Sequence, residues 1–270
     1  TEEYIKKYEL IKIDTYPAFS HVDVIDQNEF ERESMIVGSR TMSKKDYKRT
    51  SLYRWMFMFA HYLGYIQYIA RFIRIYKNIS FKDFYEDFID FAENSNESIF
   101  LKKEVKETFE SLSIFLNSKG PMGRVVDEIR PNFAWDYEEA TAINIIQSKN
   151  IFYKEIKLFL KKYNLNEEIL DELIEFQKDT IVDPLNSYPL KKTYKYNFYE
   201  MINFSAKLIR KDQNYQIDGK NYNNDIYEWG KETLWWGRRV AACKGKIKNV
   251  GQSSNFPNTK VNTLNLFDKR

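Results

Sequence analysis

Residues 46–76 read DYKRTSLYRWMFMFAHYLGYIQYIARFIRIY and contain the strongest structural signal in the chain. Apolar side chains occupy every face of the middle turns, Pro is absent, and Gly64 is the only residue with a poor helix propensity. Just before the segment, Ser43 and Asp46 have the spacing of a capping box. The pattern predicts one helix about 45 Å long. Because such a helix has no polar face, we expect the rest of the chain to cover it.

The same segment is long enough to cross a lipid bilayer, so a membrane helix is the first alternative to weigh. His61 and Gln67 lie in its middle, whereas Arg54, Arg71 and Arg74 lie toward its ends. Strongly polar and charged groups are costly at these depths in hydrocarbon, and the sequence has no second candidate span. We therefore expect the buried central helix of a soluble bundle and no membrane partner. A peripheral membrane protein that uses this helix is kept as an alternative.

The composition indicates one large domain or two small ones with an aromatic core. The 270 residues include 20 Phe and 20 Tyr but only 9 Gly and 6 Pro, which argues against a turn-rich β fold. The net charge is +3 and the charges are interspersed, so we expect no nucleic-acid partner. The single cysteine, Cys243, excludes a disulfide framework within the chain and favours a cytoplasmic location.

Changes in pattern divide the sequence into four parts. Residues 1–42 have too little apolar patterning to fold alone, and we interpret them as a connector or edge strands at the end of an upstream domain. Residues 43–182 predict a helical bundle. Residues 183–250 predict a small β portion and a C-terminal helix packed on the bundle, and residues 251–270 a flexible tail. The expected fold is mainly α, a helical bundle around one long buried helix, with short β elements near both ends.

Two residues of the central helix are candidates for ligand binding. On a continuous helix, Arg54 and His61 project within roughly 20° of each other and together can bind a carboxylate or phosphate. The alternative is a core histidine that hydrogen-bonds to a Tyr or to a backbone carbonyl. The sequence contains no phosphate-binding Gly loop, nucleophile elbow or His-Glu-x-x-His motif, and we assign no catalytic or metal-binding residue.

A second concentration of binding side chains is the segment Trp235-Trp236-Gly237-Arg238-Arg239 in the predicted C-terminal helix. Two guanidinium groups beside two indoles can clamp an anionic or planar ligand. Alternatively, the cations complement the helix dipole while the rings pack in the core. The candidate substrate or anion contacts are therefore Arg54, His61, Trp236, Arg238 and Arg239.

Three acids form a further polar group at the start of a helix predicted from Asp136 to about Lys162. Asp136, Glu138 and Glu139 are candidates for paired acids in acid–base chemistry. However, carboxylates in the first turn are explained by their favourable interaction with the helix dipole. We interpret these acids as structural and predict no site there.

Three short motifs accompany the long helix. They are Ser39-Arg40-Thr41-Met42-Ser43, followed by Asp46 and Arg54-Trp55; Ser80-Phe81-Lys82-Asp83-Phe84-Tyr85; and Trp236-Gly237-Arg238-Arg239. Their order resembles the region that follows the radical SAM domain in cobalamin-binding radical SAM proteins. In that family a short strand leads into a Thr-Met-Ser cap and a long apolar helix, and a Trp-rich helix closes the region. The resemblance extends from Ile36 to Val250.

The resemblance implies a C-terminal accessory portion that encloses the substrate of a radical SAM enzyme and is not catalytically competent alone. Its parent enzyme would use a 4Fe–4S cluster, S-adenosylmethionine and cobalamin. Its partner would be the upstream radical SAM portion, in the same polypeptide or in another chain. The family's Cys-x-x-x-Cys-x-x-Cys motif has no counterpart here, so we expect no cofactor in this chain, and the substrate is not identified. The alternative is a non-enzymatic helical module for protein binding or assembly.

Overall fold

The computed structural model describes residues 1–15, 33–126, 128–129, 133–234 and 244–250. These residues form a mainly α fold, as predicted. The α-helices are α1 (Glu2–Tyr8), α2 (Lys44–Phe57), α3 (Gln67–Lys77), α4 (Phe81–Asn94), α5 (Ile99–Leu116), α6 (Tyr137–Gln147), α7 (Lys149–Leu160), α8 (Glu167–Asp179), α9 (Phe198–Phe204) and α10 (Ile226–Thr233). The strands are β1 (Ile11–Thr15), β2 (Glu33–Gly38), β3 (Arg124–Val125), β4 (Ala134–Trp135), β5 (Leu190–Tyr196), β6 (Arg210–Asp218) and β7 (Lys246–Asn249).

The long apolar segment forms two helices, so the prediction of one continuous helix is wrong. Helix α2 begins with the predicted capping box, in which the Asp46 amide donates to Ser43 Oγ over 3.1 Å and the Ser43 amide donates to Asp46 Oδ2 over 2.9 Å. A π-helical turn follows at Met58–Tyr62, and the helix ends there. Gly64 has a φ of 98°, which side-chain-bearing residues rarely adopt, so the chain bends before α3 begins.

The break between α2 and α3 is held by a side chain from a distant helix. Gln177 of α8 accepts from the Tyr68 amide over 2.8 Å and donates to the Gly64 carbonyl over 2.9 Å. These bonds satisfy backbone groups that lose their helical partners at the interruption. Both halves of the segment are buried as predicted, and their buried side chains include Leu52, Trp55, Met56, Phe59, Tyr65, Ile66, Ile69, Phe72 and Ile73.

Aromatic rings fill the core between the helices. Phe159 of α7 makes edge-on contacts with Phe84 and Phe88 of α4, with ring centroids 5.4 and 5.3 Å apart. On the other side of the bundle, Phe176 of α8 lies edge-on to Tyr194 of β5, 5.3 Å between centroids. The aromatic contacts therefore join the bundle to the sheet β5-β6-β7.

The β elements are small: β1 and β2 precede α2 in the chain, β3 and β4 lie between α5 and α6, and β5, β6 and β7 follow α8. Strands β1 and β2 pair antiparallel, as do β3 and β4, and β6 lies between β5 and β7 in a three-stranded antiparallel sheet. The helix predicted from Asp136 to Lys162 is instead divided into α6 and α7, because the chain leaves helical geometry at Ser148.

Two further findings concern the predicted tail and the alternative of a membrane helix. The tail predicted at residues 251–270 lies outside the described residues. None of the helices in the described ranges combines the length and apolar character needed to cross a bilayer.

Candidate functional site

His61, one of the predicted binding residues, lies in an aromatic environment. Its Nδ1 is 2.8 Å from the Tyr85 hydroxyl, and its ring stacks on Phe57 with centroids 5.0 Å apart. Burial, together with the charges of two nearby basic side chains, lowers the pKa of His61 to about 4. The imidazole is therefore neutral at pH 7, and its hydrogen bond to a Tyr is the arrangement that the core-histidine alternative predicts.

Arg54, the second predicted residue of the central helix, is exposed on α2 and acts electrostatically on the start of α6. Its positive charge lowers the pKa values of Tyr137 and Glu138, although other effects dominate both groups. The predicted common face of Arg54 and His61 assumed uniform helical winding. The π-helical turn Met58–Tyr62 has a different winding and contains His61, so this assumption does not hold.

A short β ladder fixes the backbone at the start of α6. Arg124 pairs with Trp135 across strands β3 and β4, immediately before the helix. A Cβ atom at Gly123 would lie 2.4 Å from the Trp135 carbonyl oxygen, so only glycine permits this approach. At the helix N-terminus, Glu139 accepts from the Asp136 amide over 3.2 Å. The direction in which the first turn of α6 presents its side chains is thus set by backbone contacts.

Glu138 lies in this first turn and is buried, with 7% of its surface exposed. Within the described residues no other residue donates a hydrogen bond to its carboxyl group or forms an ion pair with it, and its own backbone amide is the hydrogen-bond donor that favours the charged form. Burial, assisted by the negative charge of Asp136, raises the pKa of Glu138 to about 7. A carboxyl group with this pKa can both give and accept a proton near neutral pH, which is a property common among functional acids.

The hydroxyl group of Tyr137 is a second buried polar group, and it has no hydrogen-bond partner in the described residues. The Gly123 amide lies near enough to favour the phenolate slightly, but it does not reach hydrogen-bond geometry. Burial raises the pKa of Tyr137 well above its usual value, so the hydroxyl keeps its proton. An unpaired buried hydroxyl costs about 1–3 kcal/mol and calls for a water molecule, an ion or a ligand.

Together, Arg54, Tyr137 and Glu138 form what we call the α6 site. The site offers an exposed cation, a buried hydroxyl donor and a carboxyl group that titrates near neutral pH. Such a set can bind an anionic or hydroxyl-bearing ligand through Arg54 and Tyr137 and exchange a proton through Glu138. Arg54 was predicted as a contact, whereas Glu138 was interpreted as structural and Tyr137 was not predicted as a binding residue.

A signal for the α6 site was nevertheless present in the sequence. Glu138 and Glu139 lie in the run FAWDYEEATAINII, residues 133–146, which is otherwise almost entirely apolar or small. Acids surrounded by such residues on both sides are expected to be buried, and a buried acid needs an explanation beyond the helix dipole.

A neighbouring polar cluster, which we call the Arg124 cluster, is by contrast fully paired. The Arg124 guanidinium forms an ion pair with Glu104 over 2.7 Å, and Thr141 and Asn144 donate to the same carboxylate over 2.7 and 2.8 Å. Trp55 Nε1 in turn donates to Thr141 over 3.0 Å. Because its buried groups satisfy one another, this cluster is structural.

A polar cleft of about 610 Å³ at the start of α7 is also satisfied internally. Its two buried carboxylates, Asp179 and Asp183, pair with Lys192 over 3.2 Å and with Lys149 over 3.0 Å. Tyr194 also donates to Asp179, over 2.7 Å. In the part of the chain that the structure describes, the cleft therefore has no buried side-chain group comparable to the unpartnered Tyr137 hydroxyl of the α6 site.

The remaining predicted contacts, Trp236, Arg238 and Arg239, lie outside the described residues. The cofactor implied by the family resemblance does not fit the residues of this chain, because a cluster held by three thiolates cannot form with one Cys. Among the described residues, no group of three or more His, Cys, Asp or Glu side chains is arranged to hold a metal ion.

Comparisons with known proteins do not assign the chain to a family. No family model matches it, and no curated protein is significantly similar to it. The functional interpretation therefore depends on the geometry of the α6 site and on the motifs in the sequence.

Proposed function

We propose that this chain is the helical accessory portion of a cobalamin-type radical SAM enzyme and that the substrate contacts the α6 site. The observation that carries the proposal is the buried, unpartnered Tyr137 hydroxyl beside the buried Glu138 carboxyl, to which no other described residue is hydrogen-bonded, near the exposed Arg54. The motifs from Ser39 to Tyr85 support the choice of enzyme family.

Each residue of the α6 site has a distinct role in this proposal. Arg54 attracts and orients a polar or anionic substituent of the substrate. A substrate acceptor atom gives the Tyr137 hydroxyl its missing hydrogen bond, and a donor on the substrate does the same for Glu138. Substrate binding therefore removes two desolvation costs that the free protein carries, which favours the bound state.

The redox chemistry belongs to the partner in this proposal. The radical SAM portion would hold the 4Fe–4S cluster and S-adenosylmethionine, and a further domain the cobalamin, since this chain has only Cys243. This chain would orient the substrate and exclude water from it, in a cytoplasmic enzyme.

Apolar side chains at the N-terminal end offer a surface for that partner. Helix α1 buries none of its residues, and Tyr4 is 59% exposed. Ile36 of β2 is 52% exposed, and within the described residues β1 and β2 pair only with each other. An isolated two-stranded sheet is marginally stable, and its free edges can pair with further strands. These features support docking of the upstream portion against α1, β1 and β2.

The test combines the full chain with the radical SAM portion encoded in the same reading frame or in an adjacent gene. We expect a stable complex in size-exclusion chromatography, and we expect Arg54→Gln and Glu138→Gln to raise KM for the substrate. Cleavage of S-adenosylmethionine without substrate should be unchanged in both variants. Lys82→Gln, on the exposed face of α4, is the matched control and should leave KM unchanged.

Three results would contradict the proposal. They are failure of the two portions to associate, equal KM values for Glu138→Gln and the Lys82→Gln control, and stoichiometric binding of iron or S-adenosylmethionine by this chain alone. The exposed apolar surface at α1 and β2 also favours a second candidate, a non-enzymatic assembly module. In that case, Ile36→Lys would abolish association with a partner, while Arg54→Gln and Glu138→Gln would have no functional effect.

A further inference from the structure

A groove between α2, α4 and α5 lies apart from the α6 site. Its volume is about 440 Å³, within the range of small-molecule pockets. Val105 and Phe109 form an apolar surface in the groove, and Lys48, Lys102 and Lys106 also line it. The groove thus combines an apolar surface with several cations.

Lys48 is the most confined of these cations. Its ammonium donates to Ser113 Oγ and lies 4.0 Å from the ring centroid of Phe109. Burial lowers the pKa of Lys48. In the described part of the chain Lys48 forms no ion pair, so a partly desolvated ammonium lacks a counter-ion. Burying a charge without a counter-ion is unfavourable, and an anion in the groove would relieve that cost.

The acids of the groove are already engaged with other cations. Glu93 pairs with Arg49 over 2.7 Å, and Glu110 lies 3.9 Å from Lys106. Within the described residues, Lys102 also forms no ion pair. The groove therefore has an excess of positive charge at Lys48 and Lys102, beside an apolar surface.

We propose that this groove binds a small amphipathic organic anion, with its carboxylate at Lys48 and Lys102 and its aliphatic body on Val105 and Phe109. The charge excess selects an anion, and the apolar surface favours an aliphatic chain over a fully hydrated inorganic ion. The proposal does not depend on the function proposed for the α6 site, since the two sites share no residue.

The probe is octanoate, titrated into the full chain below its micelle concentration and followed by calorimetry and by NMR. We expect saturable binding with one site, and at least tenfold weaker binding of octanol, which has the same tail without the charge. Inorganic phosphate should also bind at least tenfold more weakly, because it lacks the tail. Lys48→Met keeps the length of the stem and should weaken octanoate binding at least tenfold, as should Lys102→Met.

The control is Lys82→Met, which removes an exposed lysine of α4 that does not line the groove. This variant should bind octanoate like the unaltered protein. Thermal melting of each variant shows whether it is folded, and the two lysine variants provide independent tests. The proposal is overturned if octanoate does not bind saturably, if octanol or phosphate binds equally well, or if both Lys48→Met and Lys102→Met bind octanoate normally.

Discussion

Helix α6 contributes to two buried polar regions that differ in one respect. Thr141 belongs to the Arg124 cluster, where hydrogen bonds and an ion pair connect the buried groups to one another. Three residues earlier, Glu138 belongs to the α6 site, where the Tyr137 hydroxyl has no hydrogen-bond partner among the described residues and no other described residue pairs with the Glu138 carboxyl. A satisfied network holds helices in a defined arrangement, whereas unsatisfied groups lower stability. This difference supports the proposal that the α6 site binds a ligand.

The comparison predicts its largest effect at the paired cluster. Glu104→Ala leaves the Arg124 guanidinium buried without its main partner and also removes an acceptor from Thr141 and Asn144. We expect a loss of about 3–5 kcal/mol in the free energy of unfolding, because breaking a buried pair leaves an uncompensated charge. Urea denaturation followed by circular dichroism measures this loss.

The matched control for Glu104→Ala is Glu110→Ala in the same helix. Glu110 is exposed and lies 3.9 Å from Lys106, also exposed, so its removal should cost less than about 1 kcal/mol. Equal losses in the two variants would show that the Arg124 cluster is not a stabilising network, and the contrast with the α6 site would then be lost.

The second prediction concerns the pH dependence caused by Glu138. The ordinary pKa of 4.5 applies in the unfolded chain, whereas the folded value is about 7, so the folded protein binds the proton more tightly. Stability therefore falls as pH rises from 4.5 to 7, by on the order of 3 kcal/mol in total. Glu138→Gln lacks this loss and should be more stable than the unaltered protein above pH 7, with the advantage disappearing toward pH 4.5.

Denaturation curves across this pH range measure the effect as a difference between variant and unaltered protein. Loss of a carboxylate from the first turn removes a favourable dipole interaction of about 0.3–1 kcal/mol, which offsets part of the gain. Glu167→Gln, in the exposed first turn of α8, is the control and should show no pH-dependent gain in stability. If Glu138→Gln behaves like this control, the carboxyl group is not desolvated in the folded protein.

The elements that the sequence predicted well are those determined by neighbouring residues. The capping box of Ser43 and Asp46 involves residues three positions apart, and the start of α2 was confirmed. By contrast, the interruption before α3 is held by Gln177, which lies 113 positions from Gly64. The periodicity of apolar residues along the segment carries no information about so distant a partner. The mainly α fold was therefore predictable, whereas the division of its long helix was not.

The α6 site shows the same limit for function. Arg54 was identifiable as an unusual charge in an apolar helix, but its proximity to Tyr137 and Glu138 results from tertiary packing. The favourable interaction with the helix dipole explains a carboxylate at position 138 from local sequence alone. The burial of Glu138, by contrast, results from tertiary packing. Trp135, three residues before Glu138, illustrates this packing, because its ring would lie 3.2 Å from a Cβ atom at Gly230 of α10. A first-turn acid in an apolar run therefore needs tertiary information before it is assigned.

The smallest expected effect is the pH dependence of stability caused by His61, a titratable group that, unlike Glu138, is hydrogen-bonded to another side chain. Folding lowers the pKa of His61 from 6.5 to about 4, so this contribution to stability is complete above pH 6.5 and is lost as pH falls toward 4. His61→Asn keeps a polar atom near Nδ1 and should remove the loss, which we expect to be on the order of 1 kcal/mol because solvent screens the half-buried ring.

Since Glu138 has the opposite slope of stability against pH, the two contributions partly cancel in the unaltered protein between pH 4.5 and 6.5. The fall in stability with rising pH should therefore be steeper in His61→Asn than in the unaltered protein, whereas the stability of Glu138→Gln should rise with pH in this interval. A His61→Asn variant whose stability difference from the unaltered protein is constant over this range would show that His61 protonates equally in the folded and unfolded states.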